Sequence, residues 1–191
     1  MKTETHITIR LREYHRPALE AHFLALEPED RRLRFGTNLP DESLRAYVAR
    51  IDFENDGAFA VQDDELRLLA VVHVANSGPS AEMGLSVLPG WRGQGLGQAL
   101  FRRAVTHLRN RGTLEAQVHC LTENAAMMHL ARKSGMRIDY SGGESDARLV
   151  LRPATASTLM NEWLADRQAE TMQAFRHQAR MTRSLLGFGN A

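Results

Sequence analysis

The chain has one cysteine, Cys120, and two lysines, Lys2 and Lys133. A single cysteine excludes an internal disulfide and fits a reducing compartment. It leaves no cysteine pair for zinc, and the eight histidines show no His-Glu-x-x-His spacing, so no metal is expected. Charge of one sign is also lacking: 24 basic side chains meet 23 acidic ones, for a net charge of +1. Without an overall field, neither nucleic acid nor a membrane surface is expected as a partner. The excess of arginine over lysine reads as genomic codon bias rather than function. No apolar run approaches the ~20 residues that cross a bilayer. The start, Met1 to His6, has no apolar signal region behind it, and the expected location is the cytoplasm.

What remains is a balance of 43% hydrophobic and 25% charged residues over 191 positions, which suits one globular domain with an extension. Ile7, Ile9 and Leu11 alternate with polar residues, as on a strand. Leu19, Phe23 and Leu26 recur at helical spacing over 15–26. Pro28 interrupts, and 29–35 reads as a short second helix. A third begins at Pro40-Asp41-Glu42-Ser43, with Leu44, Tyr47, Val48 and Ile51 on one face. Strands are predicted at 58–61, 66–75 and 81–88, the last two joined by Asn76-Ser77-Gly78-Pro79. A helix over 96–109 stops at Gly112. A strand at 116–121, a helix over 124–134 and strands at 136–140 and 147–151 complete the domain. Beyond Pro153, Thr155 or Ser157 can cap a long helix reaching Leu186. Met160, Trp163, Leu164, Met172, Phe175, Ala179 and Leu186 would form its broken apolar stripe. The tail 187–191 reads as loose. The expected division is a domain at 1–152 and a helical extension at 153–191. That helix has three possible uses: packing on its own domain, covering the acceptor site, or joining a second copy in a homodimer.

The most informative stretch runs from Val87 to Leu100. A strand pattern enters Gly90-Trp91-Arg92-Gly93-Gln94-Gly95-Leu96-Gly97, and a helix opens directly from it. Such glycines let the backbone come close to a ligand, and the helix start offers unpaired N–H groups and a positive dipole end. This suits a pyrophosphate. A P-loop is excluded because no Lys-Ser/Thr follows. A Rossmann fingerprint needs a glycine where Gln98 stands.

Arg92-x-x-Gly95-x-Gly97 resembles the Gln/Arg-x-x-Gly-x-Gly/Ala signature of the GNAT acetyltransferase family. The likeness continues through 81–87 and 116–121, which look like the family's fourth and fifth strands. It extends to Asn124, Met128, Leu130 and Lys133-Ser134-Gly135-Met136, and covers about residues 5–152. It implies an α/β (α+β) fold: a central mixed, mostly antiparallel sheet flanked by helices. It implies acetyl-CoA as cosubstrate. The pyrophosphate would lie on Arg92, Gly93, Gln94, Gly95, Leu96, Gly97 and Gln98, and the pantetheine arm along Leu85, Ser86 and Val87. Asn124 would hold pantetheine or the acceptor, cap its helix, or do both.

Acetyl transfer to an amine needs a base near neutral pH and a donor for the thioester oxygen. Glu82 matches the glutamate that many relatives carry on this strand, and burial beside a cleft would raise its pKa. With the hairpin turn centred between Ser77 and Gly78, His73 would lie opposite Glu82 and share its proton. Relatives often carry a tyrosine seven residues after the asparagine as the acid; here that residue is Ala131, with His129 and Tyr140 the nearest substitutes. Cys120 reads as a buried, inert thiol. Pro28 to Phe35 also resembles an arginine-rich stretch of some bacterial protein-lysine acetyltransferases. The expected function is acetyl transfer from acetyl-CoA to a small primary amine or amino-acid derivative by direct attack. The alternatives are a protein lysine or N-terminus as acceptor, or a module that senses acyl-CoA without turnover.

Overall fold

The computed structural model describes residues 6–185. Seven strands form one open sheet: β1 (Ile9–Arg10), β2 (Gly57–Gln62), β3 (Leu68–Ser77), β4 (Ser80–Val87), β5 (Glu115–Leu121), β6 (Arg137–Ser141) and β7 (Glu144–Val150). Their order is β1-β2-β3-β4-β5-β7-β6. Among the described residues only β4 and β5 pair in parallel. A parallel pair cannot close through a hairpin, and the chain crosses over through α4 (Leu96–Asn110).

Helices cover both faces. α1 (Arg16–Leu24), α2 (Pro28–Phe35) and α3 (Asp41–Ala49) lie on one; α4 and α5 (Ala125–Lys133) lie on the other. Proline starts two of them within the first turn, at Pro17 and Pro28, where its missing N–H costs nothing. Alternation along β2 feeds two cores. Ala58 and Ala60 pack with Leu19, Phe23, Leu44 and Val48, while Phe59 and Val61 pack with Leu100, Ala104 and Leu108. The mostly antiparallel, helix-flanked sheet expected from the sequence is the one observed.

Two features position the site. First, β4 and β5 pair only from Ser80–Glu82 to Glu115–Gln117. β4 continues to Val87 without β5 beside it, so Met83–Val87 present a free edge. Second, the β3–β4 turn is centred between Gly78 and Pro79, because Ser77 pairs with Ser80. This corrects the predicted centre by one residue. Gly78 takes φ +69°, a conformation open to glycine, and proline's fixed φ suits the second turn position. His73 therefore faces Gly84, and Glu82 faces Ala75. The shift of two in pairing keeps His73 on the face of Glu82 but removes the direct opposition.

α6 (Ala156–Leu185) lies against α4 and β1. It docks through polar side chains. Arg103 pairs with Asp166 and, at 3.3 Å, with Glu162; His107 Nδ1 lies 2.8 Å from Glu162. Ala169 is buried beside them, and Gln173 reaches His15 at 3.2 Å. Four members of the predicted apolar stripe, Met160, Trp163, Leu164 and Phe175, face the other way and are exposed, Met172 is half-buried, and the side chain of Ala179 lies outside the description. The helix end expected at Leu186 and the 187–191 tail lie outside the described residues. No helix among the described residues is long and apolar enough to cross a membrane.

Candidate active site

A cleft of about 480 Å³ opens beside the free edge of β4, walled by α2, the glycine loop and α5. That volume suits a small-molecule site. Every predicted cofactor residue except Gln94 lines it. Gln94 instead turns its carbonyl to His6 Nε2 at 2.7 Å. Gly93 and Gly95 take φ +73° and +83°, and Gly95 is the N-cap of α4. No side chain caps this helix, so its first N–H groups remain available to an anion. Arg92 is drawn aside: it pairs with Asp30 of α2. Lys133 Nζ lies 2.9 Å from Gln98 Oε1 and lines the same cleft, which places a cation there from α5.

Asn124 ties two walls together. Its Oδ1 accepts from Met127 N at 3.0 Å, capping α5, and its Nδ2 donates to Leu33 O at 3.1 Å. Ser86 is buried and lies 2.8 Å from His22 Nε2. His22 Nδ1 faces Leu68 O at 2.8 Å, so Nδ1 carries the proton and Ser86 donates to Nε2. Burial pushes the His22 pKa down to about 4. The imidazole is a neutral strut between α1, β3 and β4.

Glu82 borders a second hollow of about 220 Å³, with Gln117, His119, Asp146 and Arg148. Glu82 is exposed, so the expected desolvation is absent. His119 Nδ1 bonds Asp146 at 2.8 Å, and this bond holds the imidazole pKa above its ordinary value. His73 does not meet Glu82. Its Nδ1 accepts from Tyr47 Oη at 2.7 Å and its Nε2 lies 3.1 Å from Asp56. Burial lowers its pKa, partly opposed by Asp56.

The position of the family tyrosine is alanine, and its two nearest substitutes in the sequence are placed differently. Ala131 is 1% exposed within the α4–α5 core, so that position faces away from the cleft. Tyr140 is exposed and takes a hydrogen bond from Arg132 at 3.2 Å. His129 lines the cleft. Cys120 is buried, with Sγ 3.9 Å from Met128 Sδ, and burial pushes its thiol pKa up. Among the described residues no group of three or more His, Cys, Asp or Glu is arranged to hold a metal.

Sequence reasoning did not single out Arg34, which lines the cleft, nor the bonds from Tyr47 to His73 and from His73 to Asp56 behind it. Arg34 projects from α2 over Gly84, so close that a Cβ at position 84 would overlap its guanidinium. The helical pattern assigns Tyr47 to the core face of α3, where it does pack against Phe23 and Phe35. No periodicity announces that its hydroxyl ends on a strand histidine.

This architecture, with a splayed parallel pair and a glycine turn at the N-terminus of the crossover helix, is that of an acyl-CoA-dependent transferase domain. The model of the acetyltransferase (GNAT) family matches residues 24–136, and the chain belongs to that family of N-acetyltransferases. No curated protein sequence matches it. Solved structures show the same fold at low identity. The GNAT domain of S. lividans PAT aligns with a TM-score of 0.65 and 17% identity, over 75% of this chain and 89% of that one. Spermidine N-acetyltransferase from Vibrio cholerae, in complex with CoA and spermine, aligns at 0.60 and 18%, over 76% and 95%. Ribosomal-protein-alanine N-acetyltransferase from Brucella melitensis aligns at 0.57 and 15%, over 75% and 99%.

Proposed function

We propose that this protein transfers the acetyl group of acetyl-CoA to a primary amine, a small molecule or amino-acid derivative, by direct attack. The observation that carries this reading is the free edge of β4 leading from the glycine turn to Glu82. The residues present fit the cosubstrate. Two glycines at positive φ and the uncapped start of α4 suit the pyrophosphate, with Lys133 adding charge. The unpaired edge at Leu85–Val87 offers the pantetheine amides the hydrogen bonds of a missing strand. Bound acetyl-CoA would supply an activated acyl carbon: the amine nitrogen bonds to it as the C–S bond breaks and coenzyme A leaves as the thiolate.

Glu82 takes the proton that the amine loses, directly or through one water in the hollow beside it. Its exposure suits a base that returns the proton to solvent after each turnover. His119 and Asp146 line that hollow, a position from which they would bracket an incoming amine. The single buried cysteine supports a reducing, cytoplasmic setting.

The test is calorimetric titration of acetyl-CoA, followed by thiol release across a panel of amines. Micromolar binding and amine-dependent thiol release support transfer. Binding without release to any amine supports an acyl-CoA sensor. No binding by folded protein rejects both.

A further inference from the structure

The cofactor cleft reaches Leu85 and Ser86, and the hollow of the base reaches Glu82. Between them on the same strand is Gly84, and over Gly84 lies the guanidinium of Arg34. Any side chain at 84 would occupy the same space, so glycine there is the condition for Arg34 to rest on β4.

Arg34 is held but not neutralised. Its guanidinium lies 4.7 Å from the ring centre of Phe35 and 5.9 Å from that of Tyr47. Nη2 donates to Tyr47 Oη at 3.1 Å, while Nε is buried with no hydrogen-bond partner. Among the described residues no carboxylate pairs with it, although ten other arginines have one. A partly desolvated cation with unused donors is unfavourable until an electron-rich group meets it. Its position is fixed from behind by a chain of bonds. Tyr47 Oη donates to His73 Nδ1 at 2.7 Å. His73 Nε2 donates to Asp56 Oδ2 at 3.1 Å, and Asp56 Oδ1 accepts from Asn76 N at 3.2 Å. Each link has one donor and one acceptor. Tyr47 thus spends its proton on His73 and keeps a lone pair for Arg34.

We infer that Arg34 is a catalytic residue: its guanidinium donates to the thioester carbonyl oxygen as that oxygen gains charge, while Tyr47, His73 and Asp56 position it. The inference rests on the acetyl-CoA reading above. The location follows from the strand. The pantetheine rail is at 85–87 and the base at 82, so the reacting carbonyl must sit between them. Residue 84 is one two-residue step, about 7 Å, from both Glu82 and Ser86. A fixed cation there stabilises developing charge without reorganising, which is the strongest form of electrostatic catalysis.

The test compares full-length wild type, R34Q and G84A. G84A keeps the arginine but puts a methyl where its guanidinium lies, and the flexible side chain must swing away. Acetyl-CoA and CoA are titrated into each. Wild type should prefer acetyl-CoA by about tenfold, the size of one good charge-assisted bond. Both variants should bring that ratio near one while leaving CoA affinity unchanged. The infrared carbonyl band of bound, carbon-13-labelled acetyl-CoA should sit at lower frequency in wild type than in either variant. Turnover in R34Q should fall about 10²–10³-fold, as when an oxyanion donor is lost. The same ligand ratio and carbonyl band in all three proteins would overturn the role of Arg34 and leave the proposed transfer standing. So would a loss confined to affinity for carboxylate-bearing acceptors, which would place Arg34 against the acceptor. Failure of folded wild type to bind either ligand would overturn both.

Discussion

On the proposed cofactor side of Gly84, between the side-chain walls of α2 and α5, the parts that would hold the ligand's backbone are themselves backbone: Gly93, Gly95, the first N–H groups of α4 and the open edge of β4. Those parts are contiguous in the chain, within about residues 83–98. On the proposed acceptor side the working parts are side chains, some lining the cleft or the hollow and some holding those from behind. Arg34, Tyr47, Asp56, His73, Glu82 and His119 come from α2, α3, a loop and three strands. The first half can be assembled by local conformation and tolerates change in side chains. The second depends on tertiary packing, and each member depends on its neighbours. Binding should therefore be robust to most substitutions outside the glycine turn, whereas turnover should be fragile at many scattered positions.

The largest effect on binding belongs to the backbone half. Gly95→Glu forces a β-carbon onto φ +83° and places a carboxylate where the pyrophosphate is to lie. Acetyl-CoA affinity should fall by at least about 100-fold, equivalent to about 2.7 kcal/mol, in a protein that still folds but with a lower thermal midpoint from the strain. Calorimetry on both proteins checks this. Retained binding would mean that the ligand does not use the turn.

Glu82→Gln should do the reverse. The amide keeps the size of the side chain but cannot take a proton. The turnover rate should drop about 10²–10⁴-fold at neutral pH while acetyl-CoA affinity changes less than about twofold. Steady-state kinetics with calorimetry separates the two. A matched loss of affinity would show that Glu82 holds a ligand rather than a proton.

The same division explains what the sequence disclosed. The glycine turn, the alternation on β4 and the Asn124 cap were legible because local spacing determines each one. The hairpin offset was not: it turned on whether Gly78 took the first or second turn position, and a shift of one moved every cross-strand partner by two. Arg34 over Gly84 was not legible either. The two residues are far apart in sequence, and nothing in a helix pattern says where an arginine's far end will rest.

α6 extends the contrast to stability. Its anchor, Glu162, is partly buried, which alone would raise its pKa. Hydrogen bonds from His107 and Asn110 and the charges of His107 and Arg103 outweigh that, holding it at about 2 against an ordinary 4.5. The group is thus ionised in the folded state well below its unfolded pKa. Its contribution is complete above about pH 4.5 and disappears as pH falls toward 2. Wild type should exceed Glu162→Gln in unfolding free energy by on the order of 2–3 kcal/mol at neutral pH. The gap should close between pH 4.5 and 2. A gap independent of pH would show that the helix is held by shape rather than charge.

The smallest effect is the most discriminating for that helix. An amphipathic reading puts Trp163 in the core, where replacing it with a small residue costs about 3–5 kcal/mol. In the structure Trp163 is 54% exposed, touched by Arg167 at 5.7 Å, while Glu162 beside it in sequence is turned inward. Trp163→Ser should therefore change unfolding free energy by no more than about 0.5 kcal/mol, the range of ordinary surface substitutions. Chemical denaturation of dilute protein measures it, and dilution matters because a second chain covering this face would add its own contribution. A loss of several kcal/mol would mean that the apolar stripe is buried in solution and that the ion pairs face water. The polar docking of α6 would then be wrong, and with it the claim that charge holds the helix.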